Sequence, residues 1–400
     1  MENVEEKKEV KLAEAELTPE ALETWKDRVG AEMRVGNTFN QTVSYEAIRN
    51  FVNGIGDNNP LYRDRDYAQK TSYSDLIAPP NWFYSVFPTW VAEGLPGLHG
   101  WHSGTDWEFY KPVYINDFIT PRCTNVGFDV KGSQFVGKGI FRYQRSEFIN
   151  QRSEVVARCY AWAFKGERQA ARSRGKYTAI KLPHPWTDEE LAKVEDEALN
   201  EKIRGSEVRY WEDTQVGEDL PPVIKGPFGL TDMVAYCVGA SPIMIAAHGV
   251  MLRNYRRHPA WAFRDPATHA LEPVYAVHYN TEAARAAGLP YPYDVGAQRH
   301  CWVLNLITNW TGDESWIKKN YAEYRKFVYF SEVVWMKGTV IKKYVDDNGE
   351  YCVDIETHGV NQRGEDTVPG FTTVILPSSK AGTWPARKRL PAKELRGTGK

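Results

Sequence analysis

Residues 51–68 read FVNGIGDNNPLYRDRDYA, and the fold turns on how this stretch is parsed. It closes the helix-compatible run SYEAIRNFV (44–52) with Gly54 and Gly56, which allow positive φ and close approach of backbone to backbone or ligand. The polar turn Asp57-Asn58-Asn59-Pro60 comes next, and a second segment opens at Leu61. Pro60 restrains Asn59 to extended geometry, so the side chains of Asp57 and Asn59 are presented on a turn. An Asp held there can orient a water or a partner base. The alternative is an Asx-turn in which Asp57 only caps the segment opening at Leu61.

Outward from this stretch, Thr18-Pro19-Glu20 opens an expected helix to about Met33, with Leu22, Trp25 and Val29 at helical spacing. Downstream, LIAPPNWFYSVFPTW (76–90) is apolar and aromatic, and Pro79-Pro80 stops regular structure before an apolar helix. From Thr105 to Phe164 the period becomes two, predicting strands near 105–114, 118–130, 134–148 and 154–164. Breaks are expected at Asn116-Asp117, Lys131-Gly132 and Asn150-Gln151. Helix followed by antiparallel sheet implies an α+β fold.

Residues 166–205 turn basic and then acidic, which predicts a surface connection carrying a solvated helix with Thr187 as N-cap. The plan then repeats. LTDMVAYCVGAS (230–241) matches the first helix, strands are expected near 333–345, 350–360 and 367–377, and Asp346-Asp347-Asn348-Gly349 is a hairpin turn. The predicted division is an arm (1–17), a first domain (18–165), the connection (166–205), a second domain (206–377) with an insertion near 243–272, and a basic tail (378–400).

A chain of 400 residues accommodates two cores, and a net charge of -2 argues against a nucleic-acid partner. The 14 Trp, 22 Tyr and 16 Phe suit β-rich structure and broad apolar pockets. Five dispersed cysteines without a CxxC are expected to be reduced, and the charged opening MENVEEKKEVKLAEAE lacks the apolar core of a signal peptide. With no run of about eighteen apolar residues, a cytoplasmic protein with no membrane partner is expected.

The order of helix, GxGDNNPL, IAPP and four strands resembles the MaoC-like hot-dog family. The resemblance implies a double hot-dog, two helices each wrapped by antiparallel sheet, and hydration of 2-enoyl thioesters or dehydration of 3-hydroxyacyl thioesters. The family pattern, roughly G-D-x-N-P-[LIV]-H-x-D with a later Ala, is met by Gly56 to Asp64 and Ala68, except that Tyr62 stands in the His place. That departure resembles the N-terminal domain of two-domain dehydratases, which shapes the acyl tunnel.

In the second half, HYNTEAARAAG (278–288) is similar to the family's stretch from H-x-D onward, with Asn280 in the Asp place and Pro273 where the catalytic Asp belongs. An ungapped alignment would instead put His248 in the His place.

Water addition needs a base, an acid for the α-carbon and donors for the thioester oxygen. By resemblance His278 is the candidate base, with a structural His as the alternative. Asp57, Asp265 or Asp294 is its candidate acidic partner, turn formation being the alternative for the last two. Tyr62, Asn59, Asn280 and Gly296 are candidate substrate-binding residues, and Arg299 offers a bidentate fork for a carboxylate or CoA phosphate. His99, His102 and Asp106 lack a further ligand at metal spacing, so neither metal nor cofactor is expected beyond the CoA of the substrate. The resemblance therefore implies an acyl-CoA hydratase or dehydratase acting on a bulky or aromatic acyl group, as a homodimer or with another hot-dog protein. The alternatives are a non-catalytic thioester-binding subunit and a hot-dog thioesterase.

Overall fold

The computed structural model describes residues 16–36, 38–89, 91, 98–133, 137–167, 179–240 and 245–383. Most of the expected arm, part of the basic connection and most of the tail lie outside the described residues.

The described strands are β1 (Glu32–Met33), β2 (His99–Phe109), β3 (Ile119–Ser133), β4 (Gly137–Asn150), β5 (Val155–Gly166), β6 (Val223–Lys225), β7 (Ala262–Arg264), β8 (Leu271–Pro273), β9 (Trp316–Glu323), β10 (Val334–Val345), β11 (Tyr351–Asn361) and β12 (Gly370–Ile375). Ten of them form one antiparallel sheet in the order β1-β3-β4-β5-β2-β9-β12-β11-β10-β6. The first five come from the first half of the chain and the last five from the second. The two sets are fused at β2 and β9, from Gly104 opposite Glu323 to Glu108 opposite Lys319. The fold is a double hot-dog, with both halves sharing a continuous sheet.

Two helices, one from each half, pack against each other. Tyr45–Ile55 is capped by the Ser44 side chain, which accepts from the Ala47 N–H, and is ended by Gly56 at φ 64°. Its partner is Leu230–Ala240. They cross backbone to backbone because each presents a glycine. A Cβ on Gly54 would lie 2.6 Å from the Ala235 carbonyl oxygen, and one on Gly239 would lie 2.5 Å from that of Asn50. Behind this pair runs Gly296–Thr311, the long helix of the second half, buried along nearly its whole length. Its counterpart in the first half is only a 3-10 turn, Pro80–Trp82, and one helical turn, Phe83–Val86. The expected apolar helix after Pro79-Pro80 is thus barely formed, and aromatic packing such as Phe51 edge-on to Trp82 at 5.6 Å fills its place.

Other expectations shift for local reasons. The first helix spans Pro19–Lys26, not to Met33. Gly30 takes φ 85° and gives its N–H to the Asn125 carbonyl, which feeds the chain into β1. The break expected at Lys131-Gly132 is absent, since β3 pairs with β4 through both residues. The helix of the connection, Asp188–Leu199, begins in a capping box of Thr187 and Glu190. It is less solvated than its charges imply. Val194 packs with Ile224 and Val333, and the Trp335 indole N–H donates to Glu197 at 2.7 Å. Strand β9 (WIKKNYAE) escaped the period-two reading because consecutive lysines mask its alternation.

Candidate active site

The GDNNPLY stretch is one candidate half-site. Asp57 Oδ1 accepts the Asn59 N–H at 2.9 Å and Asn59 Oδ1 accepts the Leu61 N–H at 3.0 Å, so both side chains build the turn. Burial raises the Asp57 carboxyl to about 6, against the lowering effects of the Asn59 N–H and of Lys225. Asn59 and Tyr62 line a pocket with Tyr73, Phe83, Phe109 and Trp316, closed by the last turn of the Gly296–Thr311 helix.

His278, the candidate for the other half-site, ends the 3-10 segment Val274–His278. Its Nδ1 lies 2.9 Å from the Tyr293 carbonyl oxygen. A carbonyl only accepts, so Nδ1 carries the proton and the lone pair resides on Nε2. The ring packs against Tyr275 and Tyr293, each at 4.6 Å between centroids. Burial pushes its pKa down to about 4, which keeps the imidazole neutral at pH 7.

Three residues beyond Tyr293 the long helix begins at Gly296, without a side-chain cap from Val295. The N–H groups of a first turn have no acceptor within the helix and carry its positive end. Gly296 has no room for a side chain, because a Cβ there would meet the Tyr324 ring at 2.6 Å. The two half-sites sit at opposite ends of this helix. Its 16 residues span about 24 Å.

The structure reassigns several candidates. Asp57 is no partner of His278: Asn59, Lys225, Glu201 and Arg63 act on it, whereas Tyr293 and Asp294 act on His278. Asp294 is not a free acid either. Arg299 holds it bidentately, with Nε to Oδ2 at 2.7 Å, and the Val328 N–H reaches Oδ1 at 3.2 Å. The same pair removes Arg299 from ligand recognition, since its remaining reach goes to the carbonyls of Lys326 and Thr367 and its side chain is 3% exposed. Asp265 does arrive beside the H-x-N motif, accepting from Asn280 Nδ2 at 2.7 Å, but its other oxygen takes the N–H groups of Ala267 and Thr268. Asn280 in turn caps Thr281–Ala286 through the Ala283 N–H, so both residues brace a turn. His248 opens the exposed helix His248–Arg257 of the insertion.

Sequence reading missed a buried polar network at the seam. His300 Nδ1 meets the hydroxyls of Thr105 at 2.7 Å, Tyr84 at 2.9 Å and Tyr324 at 3.0 Å, and Nε2 meets Asn320 Oδ1. The Trp107 indole donates to Tyr84 at 2.9 Å. A histidine inside the apolar run AQRHCWVLNL was the available signal.

Comparison with known proteins matches residues 28–159 to the FAS1-like, dehydratase domain region. A UPF0336 protein of Streptomyces avermitilis is 38% identical over 103 residues, covering 22% of this chain and 67% of that protein. The chain belongs to the UPF0336 family. This UPF0336 member is also similar to a probable enoyl-CoA hydratase alpha subunit of Thermomonospora curvata, at 24% identity over 159 residues, 34% of this chain and 48% of that protein. In fold it matches a solved MaoC-like dehydratase with a TM-score of 0.60 at 15% identity, over 88% of this chain and 99% of the other. Among the described residues, no helix of this UPF0336 protein is long and apolar enough to cross a membrane.

Proposed function

We propose that this chain adds water reversibly to a 2-enoyl-CoA thioester, with His278 as the base. The reading rests on one observation: the Tyr293 carbonyl fixes the proton of His278 on Nδ1 and leaves Nε2 as a neutral acceptor near the uncapped start of the Gly296 helix. In the hydration direction Nε2 takes a proton from water as the water oxygen bonds to the β-carbon. Helix N–H groups hold the thioester oxygen as negative charge gathers there, and the imidazolium returns its proton to the α-carbon. No net proton is consumed.

The aromatic wall around His278, where Tyr275 and Tyr293 pack on the imidazole and Phe327 packs edge-on to Tyr293, supports a bulky or aromatic acyl group. The weak likeness to an enoyl-CoA hydratase subunit supports the same chemistry. The proposal includes self-association or pairing with a second hot-dog protein, which the mass of the assembly in solution tests.

The test is a panel of 2-enoyl-CoA and 3-hydroxyacyl-CoA thioesters followed by mass spectrometry. Gain or loss of water is expected, reduced at least about 10²-fold in His278→Ala. A second reading, a thioester-binding subunit without catalysis, draws on Tyr62 and Pro273 in the places of the motif His and Asp. It predicts binding without turnover, and release of free CoA would point instead to a thioesterase.

A further inference from the structure

A hydratase half-site without its aspartate lacks the second group that holds the attacking water, and Pro273 occupies that place here. Two buried polar atoms near the start of the long helix have no hydrogen-bond partner: the Tyr236 hydroxyl, on a residue 0% exposed, and Gln298 Oε1, on a residue 1% exposed. Isolation of such groups from water is unfavourable, so their retention in a packed interior calls for an occupant.

Their positions converge. Gln298 lies one turn before Cys301 on the same face of the helix, and the Tyr236 hydroxyl lies within electrostatic reach of Cys301, Cys237, Tyr324 and Asp294. Tyr236 also acts on Tyr275, whose ring packs against His278 at 4.6 Å. Tyr236 shares one buried cluster with Ala297, Cys301 and Tyr275, which places the orphaned atoms among the Leu230–Ala240 helix, the first turns of the long helix and the Tyr275 ring that packs on His278.

Resting on the hydratase reading above, we infer that Tyr236 and Gln298 hold the reacting water in place of the missing aspartate. A water molecule there has complementary partners. One O–H donates to Gln298 Oε1 and the other to His278 Nε2, while one lone pair accepts the Tyr236 O–H. The remaining lone pair forms the C–O bond at the β-carbon as the O–H facing His278 breaks. The carboxamide never takes a proton, so His278 alone carries it to the α-carbon. An aspartate in that place could compete for the proton, whereas Gln298 and Tyr236 only position.

Tyr236→Phe and Gln298→Met each delete the polar atom with little change in shape. Each is expected to lower kcat about tenfold, equivalent to about 1.4 kcal/mol of barrier, with KM within about twofold. Because each removes an orphaned buried group, Tm is expected to stay level or rise, which a merely structural role would not give. His278→Ala is assayed alongside. If it is inactive while both variants keep full kcat, this inference fails and the hydratase reading stands; if it remains active, the reading itself fails. A crystal structure of the wild-type chain gives a readout free of turnover. An ordered water within hydrogen-bond distance of Tyr236 Oη and Gln298 Oε1 is expected, and a dry site overturns the inference.

Discussion

Gly239→Ala sets two opposing effects against each other. In an isolated helix, glycine to alanine stabilises by about 1 kcal/mol. Here the new methyl would lie 2.5 Å from the Asn50 carbonyl oxygen and 2.7 Å from Phe51 Cα, both backbone atoms that cannot swing aside. Restoring a separation of about 3.5 Å moves the two helices apart by about 1 Å. That loosens the packing of Ile48, Phe51, Met233 and Tyr236, all fully buried. Overpacking of this kind costs about 1–3 kcal/mol, so set against the helix gain a net loss of up to about 2 kcal/mol is expected.

Urea unfolding at pH 7 measures it. Gly249→Ala serves as control, because in the exposed His248–Arg257 helix the added methyl meets nothing within 4 Å. The double variant Gly54→Ala/Gly239→Ala is expected to cost less than the sum of its parts, since one separation relieves both clashes. If Gly239→Ala stabilises the protein as the control does, the close crossing of the helices is wrong.

Arg299→Met strands the buried Asp294 carboxylate and is expected to cost about 3–5 kcal/mol, most of it recovered in Arg299→Met/Asp294→Leu; equal melting of wild type and single variant would refute the buried pair. His278 and His300 are depressed to about 4 and His102 to about 3, all from 6.5 and mainly by burial. The unfolded chain then binds more protons below pH 6.5, so their contribution to stability should fall as pH drops from 6.5 towards 4, seen as a declining urea midpoint. Asp57 has the opposite sign: its folded value of about 6 exceeds 3.8, so its cost grows as pH rises through that window. Asp57→Asn should accordingly stabilise more at pH 8 than at pH 4, and an equal effect at both would count against a buried carboxylate.

Local chemistry that the chain writes into consecutive residues was legible from sequence. The caps at Thr18 and Thr187, the Gly56 stop, the Asp346–Gly349 hairpin and most of the long strands depend on neighbours in the chain, and their residue types state it. The repeated order of helix and strands carried two helix-and-sheet units, and the resemblance of the GDNNPL stretch made them a double hot-dog. The sequence could not say that β2 and β9 zip the halves into one sheet, since that pairing joins residues over 200 positions apart.

Nor could it assign the charged candidates. Asp294 and Arg299 look like an acid and an anion receptor until the fold buries them against each other, a burial that tolerates charge only in pairs. His300, Tyr84 and Thr105 have no motif because three separate elements bring them together. Residue types and spacing determined what each segment could do. Tertiary structure decided which polar groups satisfy one another and which are left to meet water or substrate, because desolvation and partnership are properties of the packed interior.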